Sequence, residues 1–181
     1  MGFKYRVAND SIYYMTITVI DWIDVFTRKE LANVIIESLV YCQQQKGLVL
    51  YAWCLMPSHL HLIASAAEGI KLTDVLRDFK KFTSKAVVST IKEIRESRKE
   101  WLLDKFAFAG KTNAKNKEYK FWQDGLHAIE LDTTSFMEQK LAYLHQKPVA
   151  AGMVYEAEHY VWSSAINYTG APGLIEVVLI E

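Results

Sequence analysis

Tyr51-Ala52-Trp53-Cys54-Leu55-Met56-Pro57-Ser58-His59-Leu60-His61-Leu62-Ile63-Ala64 reads as an apolar strand, a proline-marked turn and a second strand. Side chains alternate faces along an extended chain, so His59 and His61 project from one side of the sheet while Leu60, Leu62 and Ala64 take the other. Two neutral imidazoles side by side supply half of a divalent-metal site. The same alternation also suits a strand with one wet face, so the spacing suggests a site without naming its chemistry.

Upstream, Ile12 to Trp22 alternates and predicts a strand. Thr27-Arg28-Lys29-Glu30 has the spacing of a capping box, and Leu31, Val34, Ile35, Leu39 and Cys42 follow at helical intervals up to Gly47. The helix therefore spans about Arg28 to Lys46. Leu48 to Met56 is almost wholly apolar, as in a strand covered on both faces, and its hairpin with the histidine strand is expected at the sheet's centre.

Downstream, Leu72, Val75, Leu76, Phe79, Phe82, Ala86, Ile91 and Ile94 mark a second helix. Its opposite face carries Arg77, Lys81 and Lys85, with Lys80 and Ser84 alongside, and Asp74 and Asp78 limit the positive field. Such a stripe is either a solvated helix face or a phosphate contact. Glu96 to Lys120 is polar and irregular, with Gly110 to Lys117 expected as a basic loop. Trp122, in Phe121-Trp122-Gln123-Asp124-Gly125, suits base stacking or burial, and Leu126 to Leu131 suits a short strand. Thr134 or Ser135 should cap a third helix, Phe136 to Gln146, which carries Tyr143 and ends before Pro148. The closing segment Leu174 to Ile180 fits an extra strand or a partner-binding arm.

With 181 residues, 51% of them hydrophobic, the chain can build a proper core and is not a disordered polymer. We expect one domain over residues 1–181, with a basic loop near 97–120 and a C-terminal extension near 152–181. Cys42 and Cys54 fall in apolar runs, which is core usage in a reducing compartment. The opening residues lack the apolar core of a signal peptide and no run suits a membrane span, so the expected location is cytoplasmic. A formal net charge of +0 permits only a local basic face, and hence salt-sensitive affinity for nucleic acid.

The order strand, helix, strand, strand, helix, strand, helix predicts an α+β fold, a ferredoxin-like split β-α-β. Its antiparallel sheet would carry helices on one face and the histidines on the other, facing the third helix.

Met56-Pro57-Ser58-His59-Leu60-His61-Leu62 resembles the histidine-hydrophobic-histidine (HUH) signature of single-tyrosine transposases of insertion-sequence type. The whole chain resembles the REP-associated tyrosine transposases. Leu141-Ala142-Tyr143-Leu144-His145-Gln146-Lys147-Pro148-Val149-Ala150-Ala151-Gly152-Met153-Val154 is similar to that family's tyrosine helix and the Pro-Val element after it. Phe121-Trp122-Gln123-Asp124-Gly125 and Trp162-Ser163-Ser164-Ala165 are two further marks, in the family's order.

The resemblance implies the same fold and a transposase that cuts and joins single-stranded DNA near hairpins formed by repetitive extragenic palindromes. Tyr143 would be the nucleophile, leaving a 5′-phosphotyrosine link and a free 3′-hydroxyl, with Mg²⁺ or Mn²⁺ on His59 and His61. Tyr155, Tyr160 and Tyr168 lie beyond the tyrosine helix. DNA contacts would come from Arg77, Lys80, Lys81, Lys85, Lys147 and Trp122. Single-stranded or hairpin DNA is the implied partner, with no membrane and with a homodimer as a candidate assembly.

One position departs from the family. Where it carries an amide that completes the metal site, this chain has Lys147, whose ammonium has no lone pair and repels a divalent ion. Either Gln146 shifts in as the ligand, or Lys147 serves the phosphate, or metal is held weakly. A domesticated DNA-hairpin binder with weak or no catalysis is the alternative this substitution motivates. An unrelated metallohydrolase would instead need His127, His145 or His159 as added ligands.

Overall fold

The computed structural model describes residues 11–112 and 118–180. Strand β1 (Tyr13–Thr18) leads through a 3-10 turn (Ile20–Trp22) into helix α1 (Lys29–Gln45). The hairpin β2 (Leu48–Met56) and β3 (His59–Ala66) follows, then α2 (Leu72–Glu93), α3 (Lys99–Lys111), β4 (His127–Glu130) and α4 (Thr134–His145). One more helical turn, Lys147–Ala150, continues beyond α4. The four strands lie in the order β2-β3-β1-β4 with every pairing antiparallel. That is the expected α+β split β-α-β: α1 carries the chain from β1 past one strand position, and the β2–β3 hairpin fills the gap.

The sheet separates two apolar layers. Met15, Ile17, Leu60 and Leu62 pack with Leu31, Ile35 and Leu39 of α1 and with Val75, Leu76 and Phe79 of α2. On the other face Tyr14, Ala52, Cys54, Met56 and Ile63 meet Leu144, with Phe136 and Leu141 of α4 packed against them. Strand β2 serves both layers by alternation, Trp53 and Leu55 in the first and Cys54 and Met56 in the second, and the register shift between Leu50 and Ala52 puts these two residues on opposite faces.

Several sequence expectations change. The centre of the sheet is β3 with β1, and β2 is an edge strand. Its outer edge is closed by the C-terminal segment, where Leu55 N donates to Trp162 O at 2.8 Å, Ser164 N to Trp53 O at 2.9 Å and Val178 N to Leu50 O at 2.9 Å. Residues 99–111 of the expected irregular segment form α3, which buries Leu102 and Phe106 in the first layer. Residues 113–117 of the expected basic loop lie outside the described residues. Thr27 does not cap α1, whose N-cap is Arg28 without a side-chain bond, and α4 is capped by Thr133, which accepts from Phe136 N.

Arg28 is fixed by a buried carboxylate instead. Glu96 accepts from Arg28 Nε at 2.9 Å and from Arg98 N at 2.9 Å, and Arg98 Nη1 reaches Asp24 O at 2.8 Å. Burial would raise the Glu96 carboxyl, but the Arg98 backbone donor and the two guanidinium groups outweigh it and hold it down at about 2. A carboxylate depressed in the folded chain stabilises above its unfolded value and loses that contribution as pH falls toward 2. Denaturant unfolding at a series of pH values should therefore show stability declining from pH 5 toward pH 2, and Glu96→Gln should be less stable at pH 7 with a flatter decline. Equal slopes in the two proteins would contradict this role.

Candidate active site

Strand β3 is hydrogen-bonded on both sides, so its histidines have little freedom: His61 lies opposite Thr16 and Cys54, and His59 opposite Thr18 and Met56. The two rings share one face with centroids 4.7 Å apart and planes nearly perpendicular. His61 Nδ1 is bonded to the Tyr14 hydroxyl at 2.8 Å and Thr16 Oγ1 at 3.0 Å, and His59 Nδ1 to Ser58 Oγ at 3.0 Å. With Nδ1 engaged, the other nitrogen of each ring is the one left for a ligand. His61 Nε2 is buried and has no hydrogen-bond partner among the described residues.

Burial, with the Lys147 charge adding to it, pushes His59 down to about 4. Burial, then His59 and Lys147, push His61 down to about 3. Both rings are therefore neutral at pH 7 and keep a lone pair to offer. Burial raises Tyr14 to about 12, so its hydroxyl stays protonated beside His61.

Helix α4 lies over this face because Leu144 is buried against the sheet while Tyr143 next to it is 48% exposed. The Tyr143 ring meets Tyr14 edge-on at 6.1 Å. Lys147 Nζ sits 4.0 Å above the Tyr143 ring and donates to its hydroxyl. Lys140 Nζ stands 5.4 Å from the Tyr143 ring and 5.3 Å from that of Tyr14. Positions 140 and 147 are three before and four after the tyrosine, so one helical face carries the phenol between two cations. Beyond it the rings continue in a row: Tyr14 is 5.7 Å from His61, and His59 is 5.2 Å from Trp22.

A divalent ion fits part of this arrangement. The unpartnered Nε2 of His61 and the neutral, anchored ring of His59 suit two coordination positions. The third side chain at the site is Lys147, which cannot ligate, while Gln146 is exposed and makes no hydrogen bond to either histidine. Among the described residues no set of three His, Cys, Asp or Glu side chains is disposed to hold a metal, so His127, His145 and His159 add nothing to the pair. His145 is buried on Ser164, with Nε2 and Oγ 2.9 Å apart.

The residues read as DNA contacts divide differently. Lys80 is only 5% exposed, and its ammonium donates inward to Gln123 O at 2.9 Å and Gly125 O at 3.2 Å, so it braces the loop before β4. Trp122 is 4% exposed and gives its indole N–H to Thr83 Oγ1 at 2.9 Å, so it is a core aromatic and no stacking platform. Arg77, Lys81 and Lys85 are exposed on α2, in the layer away from the histidines, and Arg77 is paired with Asp74 at 2.7 Å and Asp78 at 3.0 Å. Of that list Lys147 alone stands beside Tyr143 and the histidines. Two residues the sequence reading missed stand there too. Lys140 was legible from its spacing to Tyr143. Trp22 was not, because it looked like the end of β1.

The family model described as Transposase IS200 like matches residues 9–120. Among solved structures, the chain superposes on a REP-associated tyrosine transposase bound to a REP hairpin with a TM-score of 0.63 at 16% identity, covering 100% of this chain and 97% of that one. A transposase candidate from Deinococcus radiodurans R1 aligns with a TM-score of 0.46 at 16% identity, over 81% of this chain and 96% of that one. No curated protein sequence matches.

Lys80→Met tests the division of the basic residues. Removing a buried charged donor to two carbonyls should lower the unfolding free energy by about 2 kcal/mol and leave the salt dependence of DNA binding unchanged. Full stability with a flattened salt slope would put Lys80 on the nucleic acid after all.

Proposed function

The chain belongs to the IS200-like transposases, and from that premise we propose that it is a single-strand DNA transesterase acting beside hairpins, with Tyr143 as nucleophile. The observation that carries the reading is the half-exposed phenol of Tyr143, set between Lys140 and Lys147 at the end of a ring row that leads to two neutral histidines. Hairpin DNA as substrate is supported by the fold shared with a protein whose solved structure holds a REP hairpin.

In the reaction the phenolic oxygen attacks a backbone phosphorus. The new O–P bond forms as the P–O3′ bond breaks, the phenol gives up its proton, and one proton ends on the departing 3′-hydroxyl. The phosphodiester becomes a 5′-phosphotyrosine of equal bond number, so a second 3′-hydroxyl reverses the step onto a new strand without an external energy source. Lys147 is already bonded to the attacking oxygen, and Lys140 Nζ stands 5.4 Å from the same ring. Together they draw the phosphate in and offset the charge on its oxygens. His59 and His61 would hold Mg²⁺ or Mn²⁺, which when bound supplies Lewis-acid polarisation of the phosphate and support for the leaving oxygen. Tyr14 and Thr16 orient His61, and Ser58 orients His59.

A second reading, a hairpin binder with little catalysis, is favoured by one observation: the Lys147 ammonium, which cannot ligate a metal, stands close enough to both histidines to lower them. Two experiments separate them. Incubating the protein with Mn²⁺ and a labelled hairpin oligonucleotide should give a denaturation-resistant adduct that Tyr143→Phe abolishes while still binding the hairpin. A persistent adduct in that variant would move the nucleophile elsewhere, and no adduct from the unaltered protein would favour the binder. In calorimetric titration, Lys147→Asn should tighten Mn²⁺ binding at least tenfold by exchanging a repulsive charge for an oxygen donor. No gain would mean that the histidines hold metal independently of position 147.

A further inference from the structure

The turn between β1 and α1 is built against local preference. Asp21 and Trp22 have φ of 51° and 54°, two consecutive non-glycine residues in the left-handed region. Such residues persist only where surrounding structure holds them, and they gather at functional sites. The surroundings here are backbone bonds: Trp22 N donates to Val19 O at 3.1 Å and Ile20 N to Phe121 O at 2.9 Å. Val19 N donates to Ser58 O at 2.9 Å, and Val25 N and Phe26 N both donate to Pro57 O at 2.9 Å. The turn is thus fastened to the Pro57-Ser58 corner immediately before His59. Its outcome is a costly one for a packing residue, since the Trp22 indole is held 58% exposed, edge-on to His59 at 5.2 Å.

We propose that Trp22 is a stacking platform for the unpaired base of the nucleotide that departs with the 3′-hydroxyl, a proposal that rests on the transesterase reading above. Tyr143 and Trp22 stand at opposite ends of the row of rings through Tyr14, His61 and His59. Displacement at phosphorus is in line, so the leaving oxygen lies on the side of the phosphate away from the attacking phenol. A phosphate beside Tyr143 and the two lysines therefore directs its leaving nucleotide along the histidines toward Trp22. An indole face at that end accepts any base, because every base offers a π-face. An unpaired nucleotide fits this place, since a base stacked inside a duplex would not present its face to the indole.

The test is a binding experiment in a Tyr143→Phe background, where DNA stays uncut. The probe is a hairpin oligonucleotide with unpaired flanks on both sides, and a set of the same oligonucleotide with one abasic position moved along the flanks. Trp22→Asn is the informative variant, because Asn tolerates the left-handed backbone and the fold should keep its thermal midpoint. We expect Trp22→Asn to weaken binding about tenfold, Trp22→Phe to recover most of it, and the loss to vanish at one abasic position, which marks the stacked base. Equal affinity of Trp22→Asn and the Trp22-containing protein, or the same loss at every abasic position, would overturn the proposal while leaving the DNA reading intact. If the Trp22-containing protein bound none of these oligonucleotides, the transesterase reading and this proposal would both fall.

Discussion

The site depends on β3 being paired on both sides. A strand hydrogen-bonded to β1 and β2 cannot slip by one residue without turning Leu60, Leu62 and Ala64 out of the layer they share with α1 and α2. The register that buries those three is the one that presents His59 and His61 together on the opposite face. Apolar burial on one side thus fixes the spacing of polar groups on the other. The same pairing sets Thr16 beside His61 and Tyr14 within reach of its Nδ1, so ring orientation follows from the register too.

Burial then selects the chemistry. A histidine in water is part protonated near neutrality, whereas these two are held neutral by desolvation and by the neighbouring Lys147. Neutral rings accept a cation, and the lysines around Tyr143 accept an anion. In the proposed reaction the cations beside Tyr143 would take the phosphate and the neutral rings on β3 the metal. Lys147 bonds the Tyr143 hydroxyl and its charge helps to lower both histidines, so in that reaction it would favour phosphate over metal. The thiol of Cys54, across the pair from His61, takes no part: burial pushes it up to about 12 and keeps it protonated.

Much of this was legible in the sequence because it is written in short-range periods. The two-residue alternation of β3 placed both histidines, the 3.6-residue repeat placed α1 and α2, and the strand and helix order gave the sheet. What failed were decisions made by tertiary packing. Lys80 looked like a surface cation, but it lies one residue after the buried Phe79 and turns inward to carbonyls of a loop more than forty residues away. Trp122 suited both stacking and burial, and Thr83 settled it. Trp22 was hidden because nothing in a single sequence announces two successive left-handed residues other than glycine. The closing of the β2 edge by residues 162–178 depends on contacts too distant in sequence for any local pattern.

The most direct measurement of the central claim is the identity of the residue that carries DNA after reaction. The adduct formed with a hairpin oligonucleotide would be digested with nuclease and protease, and the peptide bearing the nucleotide mass fragmented in a mass spectrometer. The added mass should fall on Tyr143. Finding it on Tyr14, Tyr155, Tyr160 or Tyr168 would contradict that assignment.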